Sequence, residues 1–522
     1  MNSPKTSRAG RGLTSAAVVF SVVAAMVVGP SNERCFAQDL SALQTAVALE
    51  KVVVDAIAAS EKSVVAIGQF RRYKPGKEPN RGFRTDPFSP ELQPQIALPK
   101  SPKDLDFIPT EYGTGVVLSK RGLILTNSHV LSKGTDDYEV EYWIVTADHK
   151  SRLATIKATD PRSDLAVLEI DATDLTPITL GDATSLKKGQ IVITLGNPYA
   201  IARDGEVSAS WGIVSNLSRK AGALPNPNPN SVGVTKPTLH HFGTLIQTDA
   251  KLNLGTSGGA LINLKGEMVG LTTSAAAAAG FEQAAGYAIP VDDVFRRAIK
   301  ALQEGREVEY GFLGISPGNE EDLNPTTKPG MRVGTVVSGT PAARAGLVAN
   351  DFVTHVNEQP VRDADSFFLL IGRMPADERV KLTVVRADRP QQINVLLSKY
   401  PVREKPITTA ISVSWRGVQV EHVSAQANFS ELSRTGHVPD QPCVVVASVD
   451  PTSPAAKVLK VGQYISHIGI VSVETPKGFY AEANKTTGAA SLKILAENRE
   501  SDFAFSQIKF KPQAVTVPVA EK

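Results

Sequence analysis

The stretch IQTDAKLNLGTSGGALINLKGEMVGLTT, residues 246–273, decides how the chain is read. At its centre lies Gly255-Thr256-Ser257-Gly258-Gly259, followed by the apolar run Ala260-Leu261-Ile262. A serine among glycines ahead of such a run predicts a tight loop leading into a buried strand. Glycine tolerates positive φ and close approach, so the loop can bring backbone N–H groups to a reacting carbonyl. Alone, the string fits an ordinary turn equally well. Acyl transfer by serine also needs a general base, a carboxylate that orients the base, and N–H donors for the oxyanion.

The sequence holds eight histidines. His129 stands out because it follows the short strand pattern Leu123-Ile124-Leu125 in Thr126-Asn127-Ser128-His129-Val130, and a strand end holds a base more rigidly than a loop does. His149, His355 and His467 read as solvated or structural. His240-His241 sits in a Pro-rich loop without a second ligand cluster, so no metal site is expected there. For the carboxylate, Asp164 precedes the apolar run Leu165-Ala166-Val167-Leu168, which places it at a strand start near a core edge. Asp160 and Asp171 are close alternatives, and each alone also fits a turn or cap.

The chain has 522 residues, too many for one core, which implies about three domains. A formal charge of only +3 gives no general case for nucleic-acid binding. Lys5, Arg8 and Arg11, the apolar stretch from Leu13 to Val28, and Cys35-Phe36-Ala37 read as an export signal cleaved before Gln38. Its removal leaves Cys443, a buried small hydrophobe on this reading, as the one thiol, with no intrachain disulfide.

From Asp39 to Ser60 the apolar spacing is helical, and SVVAIGQF (Ser63 to Phe70) reads as a strand. Arg71 to Thr110 and Arg219 to His240 are long loops rich in proline, and the five alanines from Ala275 read as a further loop. Between Gly113 and Pro290, many short strands separated by turns argue for a barrel or sandwich. Val291 to Gln303 is an amphipathic helix closing this unit. An internal repeat follows: Thr335 to Val356 is echoed by Val444 to Ile468, giving two related modules joined by a linker from Lys399 to Thr408. Pro512 to Lys522 reads as a tail.

Six strings occur in order: GTGVVLSKRGLILTNSHV (113–130), SDLAVLEID (163–171), GDATSLKKGQIVITLGNPY (181–199), GIVSNLSR (212–219), IQTDAKLNLGTSGGALINLKGEMVGL (246–271) and GYAIP (286–290). Together they resemble the HtrA/Deg family of trypsin-like serine proteases, from about residue 45 to the end. The resemblance implies a mostly β chain: a chymotrypsin-type double β-barrel followed by two PDZ domains. With the export signal taken as 1–37, it implies a protease domain over 38–305, a PDZ domain over 306–402 and a PDZ-like domain over 409–512. His129 becomes the general base, Asp164 its orienting carboxylate and Ser257 the nucleophile. The N–H groups of Gly255 and Ser257 form the oxyanion hole, and no cofactor or metal is needed. Phe312, Leu313, Gly314 and Ile315 resemble the loop that captures a peptide's C-terminal carboxylate. Trp415-Arg416-Gly417-Val418 is the weaker counterpart in the second module.

The implied protein is an exported, periplasmic or extracellular, ATP-independent endopeptidase of quality control. It cleaves unfolded or damaged chains, is regulated by peptides at its PDZ domain, and works as a homo-oligomer of trimeric type. Membrane association is compatible with this reading. The alternative is a non-catalytic chaperone or scaffold with an inactive protease fold. Thr256 stands where the family usually has asparagine. Lys251 stands near the specificity pocket, where solvent exposure is expected and an inward turn would favour acidic substrate residues.

Overall fold

The computed structural model describes residues 31–75, 77, 109, 111–131, 134–197, 206–222, 224–225, 234–235, 238–273, 285–318, 329–402, 405–499 and 508–519. Two compact units divide the chain, Met1–Val52 and Val53–Lys522. The described part of the first is helical, within α1 (Ser31–Ser60), and Leu43, Val47 and Leu49 are exposed. No described helix is long and apolar enough to cross a membrane. Most of the expected export signal, most of the loop from Arg71 to Thr110, half of the loop from Arg219 to His240 and the alanine run lie outside the described residues.

In the second unit, β1 (Val64–Tyr73), β2 (Glu111–Val117), β3 (Leu123–Thr126), β4 (Tyr138–Val145), β5 (Ser151–Asp160) and β6 (Leu165–Ile170) close a barrel in the order β1-β2-β3-β6-β5-β4. A second barrel joins β7 (Ile191–Gly196) and β8 (Ser208–Arg219) to four later strands. Between them lies a two-residue pair, β9 (Leu224–Pro225) with β10 (Val234–Thr235). The later strands are β11 (Leu245–Thr248), β12 (Ala260–Ile262), β13 (Met268–Thr273) and β14 (Gly286–Pro290), and the order is β11-β14-β13-β12-β7-β8.

Side-chain alternation explains why these strands read as unbroken apolar runs. Val65, Ile67, Ala166 and Leu168 fill the first barrel. Their neighbours Val64, Leu165 and Val167 face a core shared with Leu195, Leu245 and Leu271 of the second barrel. Both faces are buried, so polar alternation disappears. The strand expected to end at Phe70 continues to Tyr73 because Arg71 pairs with Glu111 and Arg72 with Glu141 (2.7 Å). Helix α2 (Asp293–Gln303) begins at Asp292, whose side chain accepts the Phe295 N–H at 2.9 Å. It buries Phe295, Ile299 and Leu302 in the shared core.

Beyond α2, β15 (Gly311–Phe312) pairs with β22 (Ser398–Lys399). Beside them β16 (Ile315–Pro317), β17 (Met331–Val336), β18 (Phe352–Val356), β20 (Arg379–Arg386) and β21 (Arg389–Leu396) form a sheet in that order. The short β19 (Gln359–Pro360) returns on β18, and α3 (Pro341–Arg344) and α4 (Ala364–Arg373) accompany the sheet. The last sheet repeats this order with β23 (Val418–Glu421), β24 (Val444–Val449), β25 (Tyr464–Ile468), β27 (Ala490–Arg499) and β28 (Ile508–Val517). Here β26 (Val471–Ser472) returns on β25, with helices α5 (Phe429–Arg434) and α6 (Pro476–Ala483). The echo extends to detail: His355 Nδ1 meets Thr354 Oγ1 at 3.1 Å, and His467 Nδ1 meets Ser466 Oγ at 3.0 Å. Cys443 is buried and free, and burial pushes its thiol up to about 12.

Two expectations change. The tail from Pro512 is largely strand, because β28 pairs with β27 through Val517. The linker from Lys399 is not loose at either end. Ile407 O accepts the Thr159 N–H of β5 at 2.9 Å, and Thr409 N donates to Gly305 O at 3.0 Å. At its start the Lys399 side chain is 5% exposed and reaches Glu307 at 2.8 Å, Glu421 at 2.7 Å and Glu309 at 3.9 Å. Burial opposes its charge, but the neighbouring carboxylates hold its pKa above the ordinary value. Burial pushes Glu309 up to about 7. Replacing Lys399 by Met leaves these carboxylates without their cation. The expected loss is about 2–3 kcal/mol, below the ~3–5 kcal/mol of a fully dry pair because the carboxylates are partly exposed. The loss is larger at about pH 9, where Glu309 is ionised, than at about pH 6, where Glu309 is protonated. Urea unfolding at both pH values checks this.

Candidate active site

Asp164 occupies the bend between β5 and β6 with φ +56, a left-handed conformation that aspartate tolerates better than most residues. Contacts from several directions hold it there. Its carbonyl accepts Ser128 N at 3.1 Å and Asn127 Nδ2 at 3.2 Å. Its carboxylate accepts the His129 N–H at 3.0 Å and the Thr273 hydroxyl at 3.2 Å. The side chain is 6% exposed.

His129 lies on the single turn Ser128–Val130 directly after β3. Its Nδ1 stands 2.8 Å from Asp164 Oδ2 and 3.0 Å from Oδ1. A carboxylate only accepts, so Nδ1 carries the proton and Nε2 is left for proton exchange. The ring remains 37% exposed. Its partial burial pulls the imidazole pKa down, but the charge and hydrogen bond of Asp164 outweigh this and raise it above 6.5.

Ser257 is buried at the turn between β11 and β12. Its carbonyl accepts the Thr114 N–H of β2 at 2.9 Å. Gly258 has φ +86, and a Cβ there would stand 2.1 Å from Thr114 O and 2.4 Å from Thr126 Oγ1. Only glycine allows this approach. A Cβ on Gly113 would meet Val130, next to His129, at 2.6 Å and the Ser257 carbonyl at 3.5 Å. The serine loop of the second barrel is therefore laid directly on the strands of the first that carry His129.

Thr114, which the sequence reading passed over inside the string GTGV, organises this contact. Its hydroxyl donates to Gly255 O at 2.7 Å and accepts Asn197 N–H at 2.9 Å. Gly255 has φ +95, and a Cβ would collide with Asn197 O and Tyr112 at 2.7 Å. Among the described residues no acceptor meets the Gly255 N–H, which suits a donor reserved for a ligand. Thr256 turns its hydroxyl onto Asn253 O at 2.7 Å, closing its own loop. A threonine thus fits at the position where the resemblance leads to asparagine being expected. Thr273 was also passed over, since a hydroxyl in a β pattern carries no sign of a partner 109 residues away. Lys251 is exposed, as expected. Asp160 lies apart from His129, bound instead by Ser163, Tyr310 and the Arg162 N–H. Burial pushes Asp160 up to about 6. His240 and His241 are buried, and no group of three potential metal-ligating residues occurs among the described residues.

In the first repeat module, Gly314 has φ +88 and lies against the Thr340 side chain. Val337 N donates to Gly314 O at 2.9 Å, and Ala342 N donates to Leu313 O at 2.9 Å. Ile315 follows on the edge strand β16. The Phe312 ring packs edge-on against Tyr400 and Phe429 at 6.2 and 6.0 Å, so that residue offers a ligand only its backbone.

Residues 113–271 match the trypsin-like peptidase domain family, and residues 311–397 match the PDZ domain family. A probable periplasmic serine endoprotease DegP-like of Pseudomonas fluorescens is 28% identical over 422 residues, covering 78% of this chain and 82% of that protein. A serine endoprotease DegS of Haemophilus influenzae is 33% identical over 297 residues, 56% of this chain and 78% of that protein. A DegP-like relative of Halomonas elongata is 31% identical, over 70% of this chain and 72% of its own length. With a mostly β architecture of two closed barrels and a C-terminal PDZ domain, the chain belongs to the HtrA family of DegP- and DegS-like proteins and is a serine endopeptidase.

Proposed function

We propose that Ser257 is the nucleophile, His129 the general base and Asp164 the carboxylate that orients it. The observation that carries this reading is the His129 Nδ1–Asp164 contact of 2.8 Å, which leaves Nε2 for the Ser257 proton. Ser257 attacks a peptide carbonyl and His129 takes its proton. The N–H groups of Gly255 and Ser257 receive the oxyanion. His129 then protonates the leaving amine, and water releases the acyl group. The residues in these roles need no metal.

The protein acts in the periplasm after removal of residues 1–37, and the protease domain spans 38–305. It digests unfolded or damaged proteins, whose chains can enter the site in extended form. Residues 306–402 form a PDZ domain, and the module from 409, extended here from 512 to Val517, is PDZ-like. It assembles as a homo-oligomer of trimeric type, which sedimentation would test.

Peptide capture falls to the first module. The register of β16 on β17 turns Ile315 and Pro317 toward the open edge. There Leu313, Gly314 and Ile315 meet the carboxylate and the peptide backbone pairs with β16. Pro317 has no N–H, so one rung of that ladder is missing. Pro317→Ala is expected to tighten C-terminal peptide binding about 3- to 10-fold, the net worth of one hydrogen bond. Calorimetric titration checks it. In the second module the same edge is closed from within. Val418 exchanges hydrogen bonds with Trp415 at 2.8 and 2.9 Å, and Val420 N–H donates to the Tyr480 hydroxyl at 3.0 Å. One peptide site per chain is expected.

The test of the whole reading is digestion of unfolded casein without ATP, with Ser257→Ala in parallel and C-terminal peptides added. Activity in the wild type alone, stimulated by peptide, supports it. No digestion or acyl-probe labelling under any activating condition would instead point to a chaperone or scaffold.

A further inference from the structure

His240 is buried, has no part in the steps above, and occupies a loop of the second barrel. Its Nε2 stands 2.8 Å from the carbonyl oxygen of Ser163, the residue before Asp164. Its Nδ1 stands 2.7 Å from the Thr244 hydroxyl. A carbonyl only accepts, so Nε2 carries the proton and Nδ1 accepts from Thr244. The ring is then neutral. Burial favours that form, lowering its pKa against the opposing pull of the Ser163 hydrogen bond and Asp164. The loop around it is fixed independently: Leu239 N donates to Arg162 O at 3.0 Å, and Ala221 N donates to His240 O at 2.9 Å.

The Ser163 carbonyl belongs to the peptide group that leads into the left-handed Asp164. Rotating that peptide would release the bend and swing the carboxylate away from His129. The contacts on Asp164 itself fix its own carbonyl and carboxylate, and none of them fixes this preceding peptide plane. We infer that His240 is a positioning residue for the proteolytic reaction, a second imidazole that pins the Ser163–Asp164 peptide and so holds the Asp164 carboxylate on His129. This rests on the assignment of Asp164 and Ser257 above. It also gives the second barrel a direct hold on a residue of the first.

The test replaces the donor and keeps the volume. His240→Leu is expected to lower kcat about 10- to 100-fold, as small displacements in a reacting geometry do, with KM changed less than about twofold. The midpoint of the acid limb of kcat/KM is expected to fall, because His129 loses part of its hold on Asp164. His240→Gln, which restores an N–H donor at similar reach, is expected to recover most of kcat and of the midpoint. Thr244→Val frees the ring to turn and is expected to lower kcat severalfold in the same sense, giving a readout if His240→Leu does not fold. Wild-type kcat and midpoint in folded Leu or Val variants would overturn the inference. So would equal losses in the Leu and Gln variants. Ser257→Ala run alongside separates the two levels. If it retains activity, the site assignment fails; if it is inactive while His240→Leu is unchanged, only this inference fails.

Discussion

Ser257→Ala is expected to lower kcat for peptide hydrolysis by about 10^6-fold while leaving substrate binding and the fold nearly unchanged. The residue is small, its carbonyl keeps the Thr114 N–H, and the glycines on either side keep their positive φ, so removing the hydroxyl disturbs no packing. What is lost is the one atom that forms the acyl-enzyme. Residual turnover, attributable to the oxyanion donors and substrate binding alone, should remain about 10^3- to 10^4-fold above the uncatalysed rate. Single-turnover assays at saturating substrate separate this from a binding defect. A loss confined to KM would mean that Ser257 contacts the substrate without reacting.

Asp164→Asn is expected to cost about 10^4-fold in kcat. The amide keeps the shape of the carboxylate but can turn an N–H toward His129 Nδ1. That places the imidazole proton on Nε2, where it cannot accept from serine. The pH profile carries a second signature. His129 must be neutral to act as base, and its pKa is raised above 6.5 because Asp164 outweighs burial. In the wild type kcat/KM therefore climbs through a midpoint above 6.5. Without the charge only burial remains, so the residual activity of the variant should climb through a midpoint below 6.5. A midpoint that stays in place would show that Asp164 does not set the charge of this histidine.

Local patterns in the chain brought out the three proposed residues as candidates, and the six strings joined them, but neither showed the way they are held. His129 was legible because it ends a strand, Asp164 because it precedes an apolar run, and Ser257 because glycines surround it. All three positions follow from local pattern and from the order of six strings. Partners distant in sequence left no local mark. Thr114 and Thr273 are hydroxyls in β patterns and read as strand residues until the barrels close around them. Asp164 gave no sign of its left-handed backbone, because the groups that hold its carbonyl and carboxylate come from Asn127, Ser128, His129 and Thr273, none of them a neighbour in sequence. His240 looked like a loop histidine, and its acceptor lies 77 residues away. Lys399 opened what read as a linker, because its three carboxylates come from two other stretches of chain. The extension of β1 through two arginines fails the strand pattern for the same reason: Glu111 and Glu141 supply the missing neutralisation.

The measurement that bears most directly on the central claim is reaction of the intact protein with a serine-directed fluorophosphonate, followed by peptide mass mapping. One adduct per chain, on Ser257, with parallel loss of casein digestion and slower labelling in Asp164→Asn, is the predicted result. An adduct on another residue, or full digestion after Ser257 is modified, would contradict it.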